Sequence, residues 1–334
     1  VNVALRVGVV GLGLGRIHAE AYDGHEAVGA VVLCDPDAER LKGIQSALSK
    51  VEATYPTIEA MLDAEALDVV SIVTPDHLHR AHAEAAFAAG CHVLLTKPIA
   101  PNLDDARAII RCAEQSGRKL MVAQEQRFHS REQRVKTLLE VGELGDVIHL
   151  RVDSFHNKVR QFQQSPWYAS TQAGRTAMVG TAIHEVDAIR YLTGKRVESV
   201  FADGNRLGDL DFHGDKTIAA LFHLEGGAIA QVTVTYVAWR GAPVDSFSLL
   251  ATKGAVSGNQ IMREGHTESL PTDERPIVIG THACVARFID SVVNDAPIAV
   301  TGRDAFASLA ACAAADESCR TGMPVVPASE FFEQ

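Results

Sequence analysis

The feature that most constrains this fold is an alternation. From the start to about residue 123, six short apolar or β-branched runs, at 6–10, 30–34, 53–55, 69–73, 92–95 and 120–123, are separated by stretches of helical period. Helical patterns are expected over 36–48, 77–89 and 103–116, with Asn102 placed to cap the last. Strand–helix–strand units pair in parallel through right-handed crossovers, so the first part of the chain is expected to be a doubly wound α/β sheet.

Beyond residue 124 the texture changes. One helix is expected over 127–144, and longer alternating strands over 147–155, 197–202, 216–224, 228–237 and 246–251. Glu225-Gly226-Gly227 is expected to be a hairpin turn, since glycines supply the positive φ that tight turns need. A mostly antiparallel sheet follows, with helices at 184–192, 281–294 and 304–321 covering one face. The 334 residues are therefore read as two domains, an α/β domain over 1–123 and an α+β domain over 124–334.

Composition narrows the function classes. Hydrophobic residues are 47% and charged residues 22%, which excludes disorder and a minimal disulfide scaffold. Lys and Arg number 31 against 42 Asp and Glu, a net charge of −11 with no basic tract, so no nucleic-acid partner is expected. No stretch of 18 residues lacks charged and polar groups, and the sequence goes straight into Leu5-Arg6-Val7-Gly8-Val9-Val10, so no targeting leader is expected. A soluble, cytoplasmic protein with no membrane partner is expected. The six cysteines lack CxxC spacing and are expected to be reduced, buried thiols.

Between the first strand and the first helix stands Gly8-Val9-Val10-Gly11-Leu12-Gly13-Leu14-Gly15-Arg16. Glycines in that place let the backbone turn sharply and approach a pyrophosphate, which helix-start N–H groups then bind. The spacing is GxGxG where the usual fingerprint is GxGxxG, and a tight turn alone would also use such glycines. Asp35 ends the second expected strand 22 residues beyond Gly13, where a carboxylate would accept from adenosine ribose hydroxyls. It would also repel a 2′-phosphate, favouring NAD over NADP. The other reading of Asp35 is a cap before Pro36.

Further on, Thr74-Pro75-Asp76-His77-Leu78-His79 follows one strand, and Ala88-Ala89-Gly90 precedes His92-Val93-Leu94-Leu95-Thr96-Lys97-Pro98. With Gln126-Arg127-Phe128, Thr181-Ala182-Ile183-His184-Glu185-Val186-Asp187 and Thr252-Lys253-Gly254, these segments resemble the glucose-fructose oxidoreductase / inositol dehydrogenase family, Gfo/Idh/MocA, over essentially the whole chain. The resemblance implies a Rossmann domain holding NAD(P) and an open-faced sheet domain holding a sugar or polyol substrate. Homodimers or homotetramers are the family habit.

On that resemblance, Lys97 is the catalytic lysine, bonded to the reacting oxygen and the nicotinamide ribose, and His184 is the general base or proton shuttle. Their other readings are a surface lysine and a histidine capping its own helix. Cofactor contacts are expected from Gly11, Gly13, Leu14, Gly15, Arg16, Asp35, Thr74, Pro75, His79 and Lys97. Arg127 at the expected domain join, and His156, Trp167, Tyr168 and Arg175 before the His184 helix, are candidate substrate contacts; each is also explained by packing. His77, His79 and His82 do not share one helix face, and no metal is expected. Two positions depart from the family pattern: Thr96 replaces an acidic residue, and Gly180 stands where the family often has Asp four residues before the histidine.

The expected function is an NAD-dependent dehydrogenase or reductase acting on the CH–OH group of a sugar, cyclitol or sugar derivative. Two alternatives stay open at this point: an NAD-retaining, glycosidase-like relative and a non-catalytic NAD-binding regulator.

Overall fold

Strand β1 (Leu5–Val10) is buried on both faces from Val7 onward, the mark of a central parallel strand. The computed structural model describes residues 4–170, 174–239 and 245–331, and these divide into two compact units: residues 1–125 with 275–305, and 126–274 with 306–334.

In the first unit, β1 is followed by α1 (Gly15–Asp23), β2 (Val28–Cys34), α2 (Ala38–Ala47), β3 (Val51–Tyr55), α3 (Ile58–Ala64) and β4 (Val69–Ile72). Next come α4 (His79–Ala88), β5 (His92–Thr96), α5 (Leu103–Ser116) and β6 (Leu120–Ala123). The six strands pair in parallel in the order β3-β2-β1-β4-β5-β6, so the order reverses at β1 and β4. Register sets Val10 beside Cys34 and Ile72, Ile72 beside Leu95, and Thr96 beside Ala123. The loops after β1, β2, β4, β5 and β6 thus leave from one edge of the sheet. Asn102 caps α5 by accepting from the Asp105 N–H at 2.9 Å, as expected. The short α3, about two turns long, is an element that the sequence pattern does not distinguish from a loop.

In the second unit, a 3₁₀ turn at Glu125–Phe128 leads into α6 (Ser130–Glu140), so the single helix expected over 127–144 is broken and shorter. After β7 (Val147–Phe155) come α7 (Val159–Gln164), a π-helical turn at Met178–Ala182 and α8 (Ile183–Thr193). Strands β8 (Val197–Asn205), β9 (Thr217–Leu224), β10 (Ile229–Thr235), β11 (Asp245–Ala251), β12 (Gly254–Ser257), β13 (Gln260–Arg263) and β14 (His266–Ser269) complete a sheet of order β14-β13-β12-β11-β7-β10-β9-β8. Every pair is antiparallel except β7 with β10. The Glu225–Gly227 turn joins β9 to β10, with Gly226 at φ 77° and Gly227 at φ 86°. Alternation puts Ile218, Ala220, Phe222, Val232 and Val234 on the buried face, while Phe201, Leu221, Gln231, Arg151 and Ser248 form a row across the other.

The chain then returns to the first unit as α9 (Pro276–Val293), followed by α10 (Gly302–Thr321), inside which the unit boundary falls. Helix α9 is expected from sequence to cover the antiparallel sheet. It instead packs on α1, β5 and β6 and buries Gly280, Thr281, Cys284, Val285 and Phe288, and the Val122 N–H donates to the Val300 carbonyl at 3.1 Å. A boundary at 123/124 therefore misses residues 275–305, because apolar surface on a helix is matched by shape and not by nearness in sequence. By length and composition α9, with mean hydropathy 1.4, is long and apolar enough to cross a membrane. All six cysteines are free thiols; Cys34, Cys91, Cys284 and Cys312 are buried.

Candidate functional site

In the first unit the glycine turn has a distinct requirement at each position. Gly11 sits at φ 82°, and a Cβ there would lie 2.6 Å from the Val73 carbonyl oxygen, so conformation and close backbone approach both demand glycine. Gly13 is different: its φ is not positive, and a Cβ would meet nothing within 4 Å. Neither the fold nor its packing needs glycine there, which leaves open room in front of a helix start. Gly15 opens α1, where a Cβ would lie 3.3 Å from the Val73 Cβ and wedge helix from strand. Leu14 is the N-cap without a side-chain cap and is 62% exposed, while exposed Arg16 pairs with Glu20 at 2.7 Å. Uncapped helix-start N–H groups beside open space suit a pyrophosphate, so these residues fit a dinucleotide.

Asp35 follows β2, buried. Its carboxylate accepts from the Leu12 N–H at 2.7 Å and the Asp37 N–H at 2.9 Å, and it pairs with Arg40 at 2.9 Å. The cap of α2 is Asp37, which accepts from the Glu39 and Arg40 N–H groups, so the reading of Asp35 as that helix's cap is corrected. Asp35 ties the glycine turn to the end of β2, and Arg40 brings a cation to the position expected to hold only an anion.

Thr74 and Pro75 follow β4. The Thr74 methyl lies 3.0 Å from where a Gly11 Cβ would be, and its hydroxyl meets His82 Nδ1 at 3.1 Å. His79, expected to touch the cofactor, is fully buried instead: Nδ1 lies 2.9 Å from the Pro98 carbonyl and Nε2 3.0 Å from the Thr74 carbonyl. Each ring nitrogen faces a backbone carbonyl, to one of which the single N–H of the neutral ring donates, so the correction is from ligand contact to brace. Burial pushes the imidazole pKa down. The brace joins the loop after β4 to the segment that carries Lys97.

Lys97 stands just past the end of β5, half-buried, with Pro98 (across a cis peptide), Ile99 and Ala100 buried behind it. An exposed surface lysine would not be rooted in this way. Gln124, which the sequence reading missed, follows β6 at 1% exposure, with neither amide atom hydrogen-bonded. Its signal is weak, because a Gln after a strand reads as the start of a loop. Thr74, Lys97 and Gln124 thus follow three adjacent strands, the edge at which open parallel sheets hold ligands.

In the second unit, His184 lies in the first turn of α8. From Ala177 to Ile189 it is the one residue not buried. The helix's N-cap is Ala182, without a side-chain cap, so the reading of His184 as a helix cap is corrected. A π-helical turn directly before it is a common mark of functional positions.

Arg127, expected at substrate, is turned inward. Nε and Nη2 each donate to an Asp187 carboxylate oxygen at 2.6 Å, and the guanidinium lies over the Tyr191 ring at 5.2 Å. Planar, bidentate pairing matches guanidinium to carboxylate, so Arg127 is corrected to a brace of α8. Asp187, which the sequence reading left without a role, is the other half of that brace.

His156 closes onto Ser154 Oγ at 2.9 Å by its Nε2. Trp167 and Tyr168 stack on each other, and Tyr168 stacks on Phe162. Arg175 lies over both rings, 5.4 Å from the Trp167 centroid and 4.8 Å from that of Tyr168, and donates to the Gly180 carbonyl at 2.5 Å. Nearby, the Thr176 hydroxyl donates to Asp316 at 2.7 Å; burial pushes that carboxyl up to about 7.

Comparison with known proteins accords with this arrangement. Residues 5–124 match the model of the oxidoreductase family with an NAD-binding Rossmann fold, GFO_IDH_MocA, and residues 133–257 match the GFO/IDH/MocA C-terminal domain. The chain is 32% identical over 240 residues to a D-apiose dehydrogenase of Paraburkholderia graminis, covering 72% of this chain and 62% of that protein. The matched stretch thus spans less than two thirds of that relative. It is 26% identical over 270 residues to an inositol 2-dehydrogenase of Corynebacterium glutamicum, covering 78% and 77% of the two chains. Among solved structures, an Agrobacterium radiobacter oxidoreductase in complex with NAD+, L-tartaric acid and magnesium superposes with a TM-score of 0.86 at 24% identity, over 97% of this chain and 98% of that one.

Proposed function

Because the chain belongs to the Gfo/Idh/MocA oxidoreductase family, we propose that it is an NAD-dependent oxidoreductase that moves a hydride between nicotinamide and the CH–OH carbon of a sugar, cyclitol or sugar derivative. One observation carries the reading: Lys97 ends β5 two strands from the glycine turn that ends β1, on the same edge of the parallel sheet. The D-apiose and inositol dehydrogenases support the substrate class.

When bound, the nicotinamide supplies the hydride acceptor or donor. The Gly11–Gly15 turn and the start of α1 would hold the pyrophosphate, with Thr74 and Pro75 beside them. The Lys97 ammonium donates to the reacting oxygen and stabilises the alkoxide character that grows as hydride leaves carbon. His184 takes the hydroxyl proton in oxidation and returns it in reduction; an imidazole, with an ordinary pKa of about 6.5, exchanges protons readily near neutral pH. Asp35 disfavours a 2′-phosphate, hence NAD over NADP, and Arg40 opposes that preference. Self-association as a homodimer or homotetramer through the open face of the eight-stranded sheet is part of the same proposal, checked by light scattering on the purified protein.

The test follows NADH formation by absorbance with NAD and a panel of inositols, aldoses, alditols and sugar acids, alongside Lys97→Ala and His184→Ala. Turnover of one compound, lost by at least 100-fold in both variants, is expected. NAD binding without turnover of any compound would overturn the dehydrogenase reading in favour of a non-catalytic role.

A further inference from the structure

The π-helical turn that leads into His184 is tied down through Thr176. The Thr176 hydroxyl accepts from the Val179 N–H at 3.0 Å and its carbonyl accepts from the Gly180 N–H at 2.9 Å, so Thr176 does for this turn what an N-cap does for a helix. The same hydroxyl donates to Asp316 of α10 at 2.7 Å. The same carbonyl accepts from the Tyr236 hydroxyl at 3.3 Å, which itself accepts from Thr181 Oγ1 at 3.2 Å. At Gly180, Arg175 donates to the backbone carbonyl at 2.5 Å; a Cβ on residue 180 would lie 2.8 Å from Arg175 Cγ, so glycine makes the notch that admits that side chain.

We propose that Asp316 and Thr176 are positioning residues for His184, the Asp316 carboxylate fixing the Thr176 hydroxyl and Thr176 fixing the turn that leads into the histidine. The inference rests on the proposed function only in giving His184 a part in the reaction. A hydroxyl that donates to a carboxylate is held in one rotor, which leaves its lone pairs to the Val179 N–H, and a charged acceptor binds it roughly twice as strongly as a neutral one. The Thr176 bond favours the charged form of Asp316, so by linkage ionisation of Asp316 strengthens that bond by the same free energy. Burial and the charge of Asp215, which pairs with Arg206 at 3.6 Å, oppose ionisation and bring the carboxyl to about 7. Further charges facing this part of α10 are Glu185, Asp187 and Arg190 of α8, which act with Asp316 on the Cys312 thiol, and Asp203 of β8, which acts with Asp316 on Cys319. The turn before His184 therefore tightens as pH rises through neutrality.

Two measurements on the full chain test this. In a His184→Gln background, which removes the ring's own titration, the backbone amide resonance of residue 184 is followed by NMR across neutral pH. Its shift should move with a midpoint of about 7, and adding Asp316→Asn should flatten it. Steady-state rates with NAD and the most active compound of the panel of inositols, aldoses, alditols and sugar acids give the second readout. Asp316→Asn, a neutral isostere, should lower kcat by about tenfold or more at about pH 8.5 with KM within about threefold, and the ratio of wild-type to variant kcat should approach one at about pH 5.5. Thr176→Val should show the loss across the range, and Thr176→Ser, which keeps the hydroxyl, should restore most of the rate. An amide at residue 184 that does not respond to Asp316, a kcat ratio independent of pH, or full activity of Thr176→Val would each overturn the inference. An amide titration that depends on Asp316, in a protein that forms no NADH from any compound, would refute the dehydrogenase reading and leave the coupling standing. Turnover with a flat amide profile would refute the coupling alone.

Discussion

The Arg127 guanidinium and the Asp187 carboxylate meet in two contacts of 2.6 Å, Nε to Oδ2 and Nη2 to Oδ1, three residues past His184. Ser308 of α10 donates to the same carboxylate at 2.9 Å, and Arg190 donates to Ser308 at 2.8 Å. The first turn of α8 is thereby fixed from two sides. Removing the arginine leaves the buried Asp187 carboxylate without its cation, so Arg127→Ala should cost about 3–5 kcal/mol in urea unfolding. The joint Arg127→Met, Asp187→Leu variant should recover much of that loss. An Arg127→Ala variant as stable as the wild type would show that the pair is not a brace.

The two central glycines should separate folding from cofactor binding. Gly11→Ala places a Cβ 2.6 Å from the Val73 oxygen at φ 82°, so both thermal stability and NAD affinity should fall. Gly13→Ala meets nothing within 4 Å and should keep its melting temperature within a degree or two, while NAD affinity drops by about tenfold or more because the Cβ intrudes on the pyrophosphate. A Gly13→Ala protein that binds NAD normally would contradict the assignment of that turn.

Asp35 and Arg40 are paired at 2.9 Å, and they should pull cofactor choice in opposite directions. Asp35→Asn removes the carboxylate that repels a 2′-phosphate and releases Arg40 to meet one, so the NADP-to-NAD ratio of kcat/KM should rise by about tenfold or more. Arg40→Ala should lower that ratio. Both follow from steady-state rates with the two cofactors, and a ratio unmoved by either variant would remove the pair from cofactor recognition.

Asp316 makes stability depend on pH. Burial, reinforced by the Asp215 charge and opposed by the Thr176 hydrogen bond, raises its carboxyl to about 7 in the fold, against an ordinary value of 3.8. The folded state therefore holds a proton that the unfolded chain has lost between those values. The contribution is fully present below about pH 4 and is lost as pH rises through 7, amounting to on the order of 2 kcal/mol between pH 5 and 8. Urea midpoints should fall over that range, and Asp316→Asn should flatten the slope. An identical slope in the variant would refute the assignment.

The parallel half of the fold was legible because its signals are local. Period-two and period-3.6 patterns, a capping Asn102 and a glycine turn each act within a few residues, so the six strands of the first sheet and the hairpin at Glu225–Gly227 follow from sequence order alone. The placement of Lys97 at a strand end was legible for the same reason. What side chains do across long sequence separations was not. Arg127 reads as a candidate ligand until Asp187, 60 residues away, takes its guanidinium; His79 reads as a cofactor contact until the Pro98 carbonyl, 19 residues away, takes its ring.

By itself, then, the sequence determined the alternation that builds a doubly wound sheet, the turn chemistry that suits a pyrophosphate, and the motifs that mark the family. Only tertiary structure decided that α9 returns to the first unit, that Asp35 is shared with Arg40, and that Gly180 is the notch for Arg175. The physical reason is one of range. Backbone propensity and hydrophobic period are fixed by neighbours along the chain, whereas a polar side chain takes its role from whichever partner the packed fold brings within about 3 Å.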